Sequence, residues 1–201
     1  MRKLPLFVVI SVAASLLLTA CGPPGARDIH YSSDLQKYPS LVRKNTLENY
    51  DEFKKQTWII GPSFGKIGEY QFLRALSDSN NSVSFIQLYV YRNELGNRGY
   101  DFHSTYDLSG NKLDFVKIKH ETDWTEQSYW YEGEIQRDIY QYTVDEAAIT
   151  LRYKDLVQVR KSGLRVKVYG KRADKVIDIP GVYIDDFLSV LEERYNLKRL
   201  K

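Results

Sequence analysis

The spacing of apolar positions changes several times along the 201-residue chain. It is nearly continuous from Leu4 to Leu18, behind Arg2 and Lys3, and breaks at Gly22-Pro23-Pro24-Gly25. Leu47, Tyr50 and Phe53 then recur at helical spacing, and Asn45 with Glu48 three residues later has the form of a capping box, so a short helix is expected there. From Thr57 onward the runs are rich in aromatic and branched residues, as strands are. In Val83–Tyr91, Ile86, Leu88 and Val90 fall on one face and Gln87, Tyr89 and Tyr91 on the other. Ser109-Gly110-Asn111 separates Tyr100–Leu108 from Lys112–Lys119, which predicts a hairpin with positive φ at Gly110 or Asn111. Tyr129–Ile135 and Asp138–Val144 extend the antiparallel series.

Toward the end, Leu151, Leu156 and Val159 line a helix that stops at Ser162, with Gly163 as its left-handed cap. Leu164, Val166 and Val168 alternate with Arg165, Lys167 and Tyr169, and residues 175–179 make a hairpin partner for that strand. Pro180 suits the first turn of a final helix, in which Tyr183, Phe187, Val190, Leu191 and Arg194 recur at helical spacing. No helix-length segment alternates with the strands, so a parallel doubly wound sheet is disfavoured. The expected fold is α+β: one domain over 45–201, mainly antiparallel sheet, with a short N-terminal helix and one or two C-terminal helices.

The first twenty residues have the parts of a signal peptide: a charged start, an apolar body too short to span as a mature helix, and small residues before a cleavage point. Leu18-Thr19-Ala20-Cys21 resembles the lipobox of bacterial lipoproteins. That resemblance covers this segment alone and implies diacylglycerol on the Cys21 sulfur, cleavage before it, and acylation of the new amine. Two or more acyl chains anchor stably where one does so marginally. Gly22, where an Asp would favour retention at the inner membrane, points to the outer membrane facing the periplasm. Inner-membrane or Gram-positive cell-surface placement is the lesser expectation. Residues 21–44 then form the lipidated cysteine and a tether. The sequence Gly163–Gly170 followed by Ile179-Pro180 and Phe187-Leu188 resembles the close of small periplasmic proteins of unassigned function, which transfers no activity.

Charge and composition narrow the partners. The formal charge of +3 includes Arg2 and Lys3, leaving +1 after cleavage, so nucleic acid is an unsuitable partner. Cys21 is the single cysteine, so an exported domain must rest on its core rather than on disulfides. Sixteen tyrosines are the compositional excess, suited to strands and partly buried surfaces.

Candidate chemistry is sparse. Gly61-Pro62-Ser63-Phe64-Gly65 matches the GxSxG string of a nucleophile elbow, which needs a helix next and then an acid and a histidine such as His103. Pro62 suits a plain turn equally well. His30, His103 and His120 lack the spacing that presents two metal ligands together, so neither metal nor cofactor is expected. Trp124, Tyr129, Trp130 and Tyr131 lie beside carboxylates and amides, a set that can stack on sugars or anchor a protein interface. Strand alternation sends Trp130 opposite Tyr129 and Tyr131, so the expectation is that Trp130 packs in the core while Trp124 lies in a loop. The resulting reading is a non-enzymatic binding or accessory lipoprotein contacting an envelope protein, peptidoglycan or glycolipid. The alternatives are a serine hydrolase using Ser63 and a structural subunit of an envelope assembly.

Overall fold

A computed structural model describes residues 40–66, 68–96 and 99–200. Cys21, the signal peptide and the tether before residue 40 lie outside the described residues, as does His30. The chain forms α1 (Leu41–Asn45), then β1 (Leu47–Asp51), β2 (Gln56–Ile60), β3 (Phe64–Lys66), β4 (Glu69–Asp78), β5 (Val83–Leu95), β6 (Phe102–Asp107), β7 (Lys112–Tyr131) and β8 (Glu134–Leu151). There follow α2 (Tyr153–Val159), β9 (Leu164–Gly170), β10 (Lys175–Ile179), α3 (Gly181–Arg194) and a 3-10 turn at Lys198–Leu200. The named strands form one sheet in the order β1-β2-β4-β5-β8-β7-β6-β9-β10, with β3 beside β4, and every pairing between them is antiparallel. The α+β, mainly antiparallel, one-domain expectation is met at that level.

One face of this sheet holds the core. Leu73 and Ala75 of β4, Ile86, Leu88 and Val90 of β5, and Ala147 and Ile149 of β8 meet Val166 and Val168 of β9, Ile177 and Ile179 of β10, and Ile184, Phe187, Leu188 and Leu191 of α3. Strands β6, β9 and β10, at one end of the sheet, and helix α3 share this core with the middle strands. Tyr183 is fully buried there, and its hydroxyl donates to the Pro62 carbonyl at 2.7 Å while accepting the Leu73 N–H at 3.2 Å. Burial without a charged partner holds that phenol well above the ordinary tyrosine range. Gly61 lies directly beneath: a Cβ there would stand 2.5 Å from the Tyr183 hydroxyl, so only glycine fits.

The opposite face is covered by its own rings, which accounts for much of the tyrosine excess. Cross-strand partners Tyr70 and Tyr91 stack at 4.4 Å, and Phe72 and Tyr89 at 4.8 Å. Arg74 lies between Trp58 and Tyr89, 4.6 and 4.8 Å from the two ring centroids, and donates twice to Gln87. Cross-strand aromatic pairs and cation–π contacts of this kind contribute fractions of a kcal/mol to about 1 kcal/mol each.

Several sequence expectations need correction. The helix expected from Asn45 is absent: Leu47–Asp51 is the edge strand β1, paired with β2, and Phe53 is 90% exposed in the turn after it. Asn45 ends a helix instead of starting one, its side-chain amide donating to the Leu41 carbonyl at 2.8 Å. Val42 of that short α1 is fully buried, so the packed chain begins before residue 45. By contrast, the Gly110 turn joins β6 to β7 with φ +79° at the glycine. Gly163 caps α2 at φ +87° and donates to the Val159 carbonyl at 2.8 Å. Residues 175–179 pair with β9 as expected.

Candidate functional site

The most unusual part of the molecule is the β7–β8 pair. Its register runs without interruption from Tyr131↔Glu134 to Lys119↔Glu146, where a bulge at Ile118 shifts it, and continues to Asp114↔Thr150. β8 also pairs with β5, but only as far as Leu95↔Tyr142. Beyond that point, apart from the Gly96 N–H on the Gln141 carbonyl, Trp124–Tyr131 and Glu134–Gln141 pair only with each other among the described residues, as a two-stranded ribbon that extends about 27 Å, at roughly 3.4 Å per residue. Glu132 and Gly133 close it with φ of 49° and 87°, both left-handed, which matches the right-handed twist of the flanking strands.

The ribbon has two chemically different faces, because directly paired residues share a side. One face carries, from tip to root, Trp130 with Ile135, Ser128 with Arg137, Glu126 with Ile139, and Trp124 with Gln141. Trp124, Trp130, Ile135 and Ile139 are 61%, 70%, 61% and 67% exposed. The other face carries Tyr131 with Glu134, Tyr129 with Gln136, Gln127 with Asp138, Thr125 with Tyr140, and Asp123 with Tyr142. There Tyr140 donates to Asp138 at 2.9 Å, and the Asp138 carboxylate holds the Tyr129 and Tyr140 phenols above their ordinary range.

At the root the ribbon is tied firmly. Asp145 is 1% exposed, and its carboxylate accepts the Tyr100 and Asp101 backbone N–H groups at 2.6 and 3.1 Å and faces His120 Nδ1 at 2.5 Å. Asp101 adopts a left-handed φ of 51° and pairs with Lys117 and Lys171, whose hydrogen bonds hold its carboxyl well below the usual range. Thr143 meets Thr122 across the strands and donates to the Gly96 carbonyl at 2.8 Å. Gly99 lies on this same face, where a Cβ would stand 2.3 Å from Thr143 and 2.6 Å from Asp145.

All four aromatic residues singled out from sequence are therefore brought together on one projecting element. Two details differ from expectation: Trp130 is exposed instead of buried, and Trp124 is in a strand instead of a loop. The run Tyr129–Ile135 is not one strand but straddles the turn at Glu132-Gly133. Ile135, Ile139, Tyr140 and Tyr142 were missed, although their alternation with polar residues along β8 was a usable signal.

Ser63 offers no nucleophile elbow. It is 2% exposed, and the residues after it form strand β3 against β4 where the elbow requires a helix. His103 is on β6, beside Ser104 at 3.0 Å, at the edge of an open depression of about 530 Å³ lined by Tyr106, Arg165, Lys167, Tyr169 and Val176. Arg165 and Lys167 there already pair with Asp178 and Asp174. Among the described residues no group of three or more His, Cys, Asp or Glu could hold a metal ion, and no helix is long and apolar enough to cross a membrane. The chain matches no protein-family model and no curated protein.

Proposed function

We propose that this chain is a lipoprotein of the bacterial cell envelope, anchored by lipid on Cys21 at the outer membrane and facing the periplasm, which works by binding rather than catalysis. The ribbon is its working part, and the observation that carries this reading is the exposure of Trp124, Tyr129, Trp130 and Tyr131 on one projecting element. Contiguous exposed apolar surface on a folded protein marks an interaction site, and tryptophan and tyrosine are the residues that anchor interfaces. An envelope protein fits better than peptidoglycan or glycolipid, because two Trp and two Ile spread over four rows of ribbon cover far more surface than one sugar ring.

Photo-crosslinking in intact cells tests this, with a photoreactive phenylalanine analogue at Trp130 or Tyr131 of the full-length chain. The expected result is an adduct of discrete mass containing a protein, together with palmitate labelling that Cys21→Ser abolishes. Absence of any adduct from both positions would overturn the role of the ribbon. An adduct to glycan alone would overturn the choice of a protein partner. Palmitate on the Cys21→Ser protein would overturn the anchor.

A further inference from the structure

The Trp/Ile face of the ribbon is the same face of β8 that carries the core. Residues of one parity, Ile149, Ala147, Asp145, Thr143, Gln141, Ile139, Arg137 and Ile135, run along it, the bulge at Ile118 falling on β7 and leaving the alternation of β8 unchanged. Within the body β9, β10 and α3 cover that face, and among the described residues the last backbone lying on it is at Gly99 and Tyr100, over Thr143 and Asp145. From Gln141 to the tip its apolar side chains, Trp124, Ile139, Ile135 and Trp130, are all more than 60% exposed. We propose that this face is covered by the same face of a second copy of the chain, the two ribbons packed antiparallel about a two-fold axis. The proposal rests on the ribbon being an interaction arm and names its partner.

Three observations favour a second copy. The first is charge. On this face the one cation, Arg137, lies in the second row from the tip and the one anion, Glu126, in the third. Within one copy they stand 3.5 Å apart and exposed. A two-fold axis between those rows exchanges them, so that Arg137 of each copy comes level with Glu126 of the other, and Trp130 of each comes level with the row of Trp124. An isologous interface requires a patch complementary to itself, and this one is. The second is area. Two Trp and two Ile at these exposures present roughly 500 Å² per copy, taking 150–250 Å² for a large aromatic residue, and about 1,000 Å² for the pair, which is the lower bound for a specific contact and the size of a weak, reversible one. The third is shape. Sheets pack about 10 Å apart. The layer over Thr143 and Asp145 blocks a parallel stack, in which the two bodies would collide, and lets an antiparallel one slide in as far as the fourth row.

The same features disfavour a lipid surface. Between Trp124 and Gln141 the ribbon has four carboxylates against Arg137 alone, a net charge of −3, and Glu132 and Glu134 are at its tip. Anionic headgroups would repel it. Pairing two copies leaves the face of Tyr129 and Tyr131 on each ribbon outward, available to another partner.

Two differently tagged full-length copies expressed together, with membranes dissolved in mild detergent, provide the test. Wild-type copies should co-purify. Arg137→Glu should not co-purify with itself, nor Glu126→Arg with itself, each pairing showing about a tenfold loss because like charges then meet. Arg137→Glu expressed with Glu126→Arg should recover to within about twofold of wild type, although each variant has lost its internal ion pair. Both positions are exposed and such a pair contributes less than about 1 kcal/mol, so the variants should fold. Equal co-purification in all four combinations, or failure of wild-type copies to pair, would overturn the proposal. If wild-type copies fail to pair while a photoreactive residue at Trp130 still captures a different protein, the self-association falls and the interaction arm stands.

Discussion

The two halves of the β7–β8 pair have the same backbone pairing and opposite surroundings. In the body half Ala147 and Ile149 are fully buried; in the ribbon half, on the same face, Ile139 and Ile135 are more than 60% exposed. Alternation assigns a side chain to a face. Whether that face is dry depends on which other element lies over it, and here the cover stops at Thr143. Isoleucine on one face of one strand is thus core at position 149 and exposed ten residues away at position 139.

That contrast can be attacked at three points. The largest effect belongs to Ile149→Ala, which removes a fully buried side chain from the middle of the sheet and should cost about 2–5 kcal/mol, read as a fall in the denaturation midpoint. A cost below about 1 kcal/mol would mean that the body half of β8 is no more packed than the ribbon. At the boundary, Asp145→Ala leaves the Tyr100 and Asp101 N–H groups without their acceptor and should cost about 2–3 kcal/mol, with faster amide exchange at both residues. Unchanged exchange there would show that the root is held by other contacts. The smallest effect is in the ribbon: Trp130→Ala and Trp124→Ala, measured at a dilution where copies are separate, should each shift stability by no more than about 0.5 kcal/mol. A loss of 3 kcal/mol at Trp130 would restore it to the core.

The sequence was most legible where local chemistry and burial agree. Gly110 and Gly163 sit at the left-handed positions their neighbours implied, and the alternation of Leu164, Val166 and Val168 matches a strand whose inner residues are buried. It misled where spacing was present without burial. Leu47, Tyr50 and Phe53 have helical spacing, yet β1 is an edge strand with an exposed middle, and pairing with β2 outweighs the weak helical preference. The ribbon was half legible: the aromatic residues stood out, but Glu132-Gly133 lacks the Asn-Gly or Asp-Gly signature of a tight hairpin, and it is embedded in an aromatic run that reads as continuous strand. Exposure of Trp130 could not be read at all, because it depends on where Gly99 and Tyr100 lie, far away in sequence.

The tie at Asp145 also determines how the arm moves. A lone pair of strands is marginally ordered in water, so the ribbon's order must spread outward from the root, and its hydrogen bonds should open progressively more often from Thr143 toward Glu132. Anything that grips the tip must first quieten it, losing part of the contact energy to that ordering. Amide protection around Trp130 therefore serves as a gauge of occupancy, low when the arm is bare and high when it is held.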